Sequence, residues 1–105
     1  MHVAIQGQAG SFHDQAARQW YGASAKLIPC TTFSEVFAAY DDGSADAIIT
    51  AVENTLFGSI NEVYRYIEEC DAPIVGEIKL PVEQMLVSLP GAKLSDITEI
   101  GRAHV

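Results

Sequence analysis

Apolar positions along this chain recur at two spacings, one of strands and one of helices. Val3, Ala4 and Ile5 form an unbroken apolar run, which predicts a strand covered on both faces. After it, Phe12, Ala16, Ala17 and Trp20 recur on one helical face until Gly22 interrupts the pattern, so a loop and an amphipathic helix follow. Ala25 to Ile28 reads as a second short strand. Thr32 with Glu35 matches a capping box, in which hydroxyl and carboxylate satisfy free backbone N–H groups reciprocally. Phe33, Val36, Phe37 and Tyr40 then keep i, i+3, i+4, i+7 spacing, and these aromatics are expected in the core. Ala47 to Val52 predicts a third strand, apolar on both faces. Ile60, Val63, Tyr64 and Ile67 mark a third helix that Pro73 breaks. Downstream, Ile74 to Ile78 is extended, Val82 to Leu89 reads as a strand of a different sheet, Pro90 and Gly91 turn the chain, and Leu94 to Ile100 is one short helical turn leading to another strand. Strand and helix thus alternate, and right-handed crossovers make the first part a three-layer α/β lobe on a parallel sheet.

Composition narrows the partners. The chain has 105 residues, 49% of them hydrophobic, enough for one small domain or a piece of a larger one. Fourteen acidic against six basic side chains give a formal charge of -8, which repels phosphate backbones and anionic lipid, so neither nucleic acid nor membrane is expected as a partner. No apolar run approaches the roughly 18 residues of a membrane span, and the first residues show no basic-then-apolar leader. A cytoplasmic protein is the expectation. Cys30 and Cys70 are read as reduced thiols, and neither they nor His2, His13 and His104 have metal-ligand spacing. His13 is expected to face solvent in the first helical turn, contact with a ligand being the alternative.

Two strand-to-helix junctions carry the candidate chemistry. In the first, Gly7 and Gly10 permit a tight turn, and Ser11 places a hydroxyl beside the N–H donors and positive dipole end of a helix. In the second, Glu53, Asn54 and Thr55 follow the apolar strand, with Gly58 and Ser59 close behind. Ligands of open α/β sheets sit at the carboxyl ends of strands. Both junctions also admit a plainer reading, in which Ser11 caps its own helix and Asn54, Thr55 and Ser59 cap the third. Glu53, directly after an apolar strand, is expected to be partly desolvated, as paired or functional carboxylates are.

Taken in order, residues 3–12 (VAIQGQAGSF), Thr32 and Phe33, residues 45–47 (ADA), residues 53–59 (ENTLFGS), residues 74–77 (IVGE) and Leu80 with Pro81 resemble prephenate dehydratases over about residues 3 to 100. The 53–59 block is the most specific part. The resemblance implies a lobe of a two-lobed, periplasmic-binding-protein-like fold, with residues 1–75 in the first lobe, 76–105 starting an incomplete second one, and prephenate held between them. It also implies conversion of prephenate to phenylpyruvate with loss of water and carbon dioxide, a step of phenylalanine biosynthesis, with no metal or organic cofactor and a homo-oligomeric parent enzyme. By position, Glu53 and Asn54 match the family's acidic and amide pair and Thr55 the hydroxyl after them, while Ser11, Gly58 and Ser59 would line the same cleft. Ala51 stands where many members have Pro, and Gln84 where many have His.

Where the family continues into a Ser-His-Pro segment and a later Thr-Arg-Phe motif, this chain reads Gly101 to Val105. The threonine of that last motif is the family's proton donor, so the resemblance places no catalytic residue within these 105 residues and implies no turnover by them alone. Residues 101–105 are expected to be non-native, since Ile100 to Val105 back-translates to a sequence resembling a sequencing adaptor. Incomplete second-lobe strands are expected to leave apolar surface uncovered and solubility marginal. The competing expectation is a non-catalytic module that binds a small carboxylate.

Overall fold

The computed structural model of the chain describes residues 1–55, 58–82, 86–99 and 101. Gln84, His104 and the rest of 102–105 lie outside the described residues. Three parallel strands form the centre: β1 (His2–Gln6), β2 (Lys26–Cys30) and β3 (Ala47–Ile48), in the order β2-β1-β3. The register runs from His2 opposite Lys26 to Gln6 opposite Cys30, and Val3 and Ala4 lie opposite Ala47 and Ile48. Pro29 fits because β2 lies at the edge of this sheet, where a missing N–H need not break a ladder on the far side.

Helices α1 (Phe12–Tyr21) and α2 (Phe33–Asp41) cover opposite faces. The alternation of a strand decides which side chain meets which helix. Val3 and Ile5 pack with Ala17 of α1, joined by Tyr21, Leu27 and Ile49. Ala4 packs with Val36 of α2 and Ala45, joined by Ile28, Ala39 and Ile48. Val3, Ala4, Ile5, Ala17 and Val36 are completely inaccessible to solvent. This is the three-layer α/β lobe that the strand and helix periodicities predict, and α2 buries the expected face through Val36 and Phe37. Its cap differs in one bond. Thr32 Oγ1 accepts from Glu35 N–H at 3.2 Å, but Glu35 Oε2 accepts from Thr31 N–H at 3.0 Å, one residue before the cap.

The inward face of α1 is only partly the expected one. Asp14 and Ala17 are buried, whereas Phe12 and Trp20 are 41% and 44% exposed. Trp20 instead lays its indole on Gly76: a Cβ built there would overlap Cη2 and stand 2.7 Å from Cζ2. Gly76→Ala is therefore expected to swing the ring away. Because a half-exposed ring can move, the stability cost should stay near 1 kcal/mol, while emission from the single tryptophan shifts to the red. Unchanged emission would mean that the 76 segment does not rest on α1.

The third strand is also shorter than predicted. Ile49 N–H still donates to Ala4 O at 3.1 Å, but the ladder stops there and Val52 is 38% exposed. With β1 on one flank only, β3 is half-buried rather than covered all round. Beyond it, β4 (Glu53–Asn54) and β5 (Gly58–Ser59) pair antiparallel, and α3 (Asn61–Glu69) follows. The helix starts at an N-cap of Ile60 without a side-chain cap bond, so none of Asn54, Thr55 and Ser59 is its N-cap residue. Val63 is fully buried, and Tyr66 packs its ring on Phe37 of α2 at 5.4 Å.

After α3, residues 70–82 and 86–93 contain no regular element, and Leu94–Asp96 forms the expected short helical turn. Neither Ile74–Ile78 nor the described residues of Val82–Leu89 join a ladder. Outside any strand ladder, Ile74, Val75, Val87, Leu89 and Leu94 are each more than 70% exposed. The radius of gyration, 16.3 Å, exceeds the roughly 13 Å of a compact chain of this length.

Candidate functional site

Parallel strands all point one way, so the loops leaving β1, β2 and β3 share one edge of the sheet. At the first of them Gly7 has φ +108°, a conformation that side chains resist, and its N–H donates to Cys30 O at 2.8 Å. A Cβ at Gly7 would stand 3.1 Å from Ser11 Oγ, so the bare backbone lets the turn close over the hydroxyl. Ser11 Oγ accepts from Asp14 N–H at 3.2 Å, which is the capping role. That bond uses an oxygen lone pair and leaves the O–H to donate. Asp14, buried with 4% exposure, completes the loop: Oδ2 accepts from Gly10 N–H at 2.6 Å and Oδ1 from Arg18 Nε–H at 2.8 Å. Sequence reasoning passed over Asp14, although a carboxylate three residues after a Ser N-cap is a recognisable variant of the capping box.

His13 does not face solvent. Its Nε2 accepts from Ala51 N–H at 3.0 Å, and its ring meets Phe33 edge-on at 5.9 Å. Burial pushes its pKa below the usual imidazole value, with the backbone of Gln6 acting in the opposite sense. One side chain thus joins the exits of β1 and β3 with the start of α2. It also explains where the third strand ends, because the next backbone donor, Ala51, is turned to a side chain instead of a neighbouring strand.

Two residues beyond Ala51 the hairpin begins, with Glu53 opposite Ser59 and Asn54 opposite Gly58. Ile60 N–H donates to Val52 O at 2.8 Å and closes its base. Gly58, at φ +78°, supplies the left-handed backbone that the returning arm needs. Glu53, Asn54, Thr55, Gly58 and Ser59 are all exposed, so the expected desolvation of Glu53 is not found. The apolar strand ends before reaching it, and the carboxylate lies on a hairpin arm. Its Oε1 accepts from Tyr64 Oη–H of α3 at 2.9 Å, and this bond holds the Tyr64 hydroxyl above its usual range, Ser59 acting the other way.

The six sequence-derived residues therefore fall on two segments of the same edge, Ser11 at the start of α1 and the other five on the hairpin, and the His13–Ala51 bond ties the two together. A cavity of about 400 Å³ opens where β1 and β2 end, between Gln6–Ala9 and Pro29–Thr31, within the roughly 300–1,000 Å³ of small-ligand sites. None of the six lines it, though Gly7 belongs both to its wall and to the turn over Ser11. Its polar groups are partly engaged, since Gln6 Nε2 donates to Thr31 O at 3.2 Å and Gly7 N–H to Cys30 O. Among the described residues no cluster of three or more His, Cys, Asp or Glu side chains is placed to hold a metal ion, and no helix is long and apolar enough to cross a membrane.

Comparison with known proteins agrees with this architecture. The family model for prephenate dehydratase matches residues 3–104. A bifunctional N-acyl-homoserine lactone acylase/prephenate dehydratase of Komagataeibacter europaeus is 37% identical over 102 residues, covering 93% of this chain and 34% of that protein. Arogenate dehydratase 3, chloroplastic, of Arabidopsis thaliana is 36% identical over 100 residues, covering 95% and 23%. A bifunctional chorismate mutase/prephenate dehydratase of Aquifex aeolicus is 37% identical over 86 residues, covering 82% and 24%. The X-ray structure of prephenate dehydratase from Streptococcus mutans aligns with a TM-score of 0.61 and 34% identity, over 65% of this chain and 35% of that one. The chain thus spans about a third or less of the length of these relatives. By a family match that runs almost from end to end, on a fold shared with a solved member, the chain belongs to the prephenate dehydratase family.

Proposed function

We propose that this chain is the substrate-gripping first part of an enzyme that converts prephenate to phenylpyruvate, water and carbon dioxide. The observation that carries the reading is the His13–Ala51 hydrogen bond, which fastens the Ser11 junction to the segment leading into Glu53, Asn54 and Thr55. In this reading the Ser11 hydroxyl and the start of α1 take one carboxylate, and the Asn54 amide and Thr55 hydroxyl donate across the cleft. Glu53, held by Tyr64, supplies the acidic member, while Gly58 and Ser59 shape the hairpin arm beneath them. Such a site needs positioned hydrogen-bond donors and exclusion of water, not a strong nucleophile. Proton donation to the departing hydroxyl belongs to residues outside this chain, so the chain binds without turning over. Residues 1–75 then form one lobe and 76–105 open the next, a division favoured by the absence of any regular element in residues 70–82 after α3. A cytoplasmic location is part of the proposal, supported by the free thiols of Cys30 and Cys70.

Calorimetric titration of the chain with prephenate tests the reading, with phenylpyruvate absorbance as the measure of turnover. Binding without product formation is expected. Asn54→Ala, on an exposed hairpin, should keep the wild-type circular dichroism and weaken binding at least about tenfold, the effect of losing a hydrogen bond to a charged group. Equal affinity in the variant would remove Asn54 from the site, and steady phenylpyruvate formation by the chain alone would overturn the division of labour. The non-catalytic carboxylate-binding module is a second reading, resting on the Ser11 hydroxyl at the start of α1. It predicts equal affinity for prephenate and simple arylacids.

A further inference from the structure

His13 stands where three junctions meet, and the protonation state of its ring is fixed by what it does there. Nε2 accepts the Ala51 N–H, so it must be without a proton. A protonated imidazole has donors on both nitrogens and no acceptor, and would face that N–H donor to donor. We propose that His13 is a positioning residue whose neutral form latches the hairpin bearing Glu53, Asn54 and Thr55 to the Ser11 helix start, and whose protonation releases it, making ligand affinity depend on pH. The inference rests on the function proposed above only where affinity is concerned; the latch itself does not.

The surroundings favour the neutral form. The groups against the ring are the backbone of Gln6 from β1, Phe33 from the start of α2 and Ala51 after β3, none of them charged. Charged side chains on the same elements are engaged elsewhere: Asp14 with Gly10 and Arg18 on α1, Glu35 with Thr31 N–H on α2, and Glu53 with Tyr64 on the hairpin. Burial therefore dominates and depresses the proton affinity of the ring. The linkage sign follows. Unfolding returns the imidazole to its ordinary value of 6.5, so on acidification the unfolded chain takes the proton first. The His13 contribution to stability is complete above that value and is lost as pH falls through the lower folded-state value.

The test is a nuclear magnetic resonance titration of the chain between about pH 5 and pH 8, following the His13 ring and the Ala51 amide, with phenylpyruvate affinity measured over the same range. Both resonances should move in one step with a common midpoint below that of a free imidazole. Affinity should fall about three- to tenfold across the step, the worth of one hydrogen bond. His13→Gln, whose side-chain carbonyl accepts but does not titrate, should hold the amide and the affinity constant with pH. His13→Leu should weaken affinity at every pH. An Ala51 amide that ignores the His13 titration overturns the latch, as does a His13→Gln affinity profile with the wild-type step. Coincident titrations without phenylpyruvate binding at any pH uphold the latch and overturn the proposed function.

Discussion

Ile5→Ala is expected to cost about 2–5 kcal/mol and to leave the chain largely unfolded at physiological temperature. Ile5 is completely buried on β1, the strand flanked on both sides, and packs with Val3 and Ala17 under α1. The sheet cannot collapse around the lost methyl groups, because the β1 backbone is held by a five-residue register to β2. Domains of this size are stable by only about 5–15 kcal/mol, and here residues 70–82 and 86–93 add no regular element to the core. Urea unfolding followed by circular dichroism gives the measurement, with Ile5→Val as a control expected to lose about 1 kcal/mol. An alanine variant within 1 kcal/mol of the parent would mean that β1 is not the packing centre.

Asp14→Ala should lower stability by about 2–3 kcal/mol, a large effect for a helix residue with no apolar role. The carboxylate is buried and receives two charge-assisted hydrogen bonds, from Gly10 N–H at 2.6 Å and Arg18 Nε–H at 2.8 Å. Removing it strands the Gly10 donor and takes a negative charge from the first turn of α1, where the helix dipole favours one. The Arg18 side chain, about half exposed, recovers water and softens the loss. Because the 7–11 loop carries Ser11, ligand affinity should fall along with stability. Asp14→Asn, which keeps the shape without the charge, should fall between. A full melt of Asp14→Ala indistinguishable from the parent would remove this carboxylate from the account of the loop.

Much of the lobe was legible beforehand because its signals are local. The β1 run, the α2 face of Phe33, Val36, Phe37 and Tyr40, and the Thr32 cap each need only a few consecutive residues to be recognised. The errors have one cause. Phe12 and Trp20 share the helical spacing of a core face, yet Asp14 turns inward in their place, because the loop's stranded Gly10 N–H requires an acceptor at that position. Glu53 reads as the end of a buried strand, and the plainer reading of Asn54, Thr55 and Ser59 makes them caps of the third helix, whereas the chain folds back into a hairpin at Glu53. His13 looked like a solvated first-turn residue, although its partner lies 38 positions away.

The order of residues alone determined the alternation of strand and helix, the helix ends, the turn glycines and the family, since each follows from periodicity, backbone preference or a short ordered pattern. Only the tertiary structure decided that Asp14 is buried, that the third strand stops short, and that His13 joins the two candidate segments. Those outcomes depend on which backbone donors are left without a partner once β1 lies between β2 and β3, and that is a property of the assembled sheet, not of any local stretch of chain.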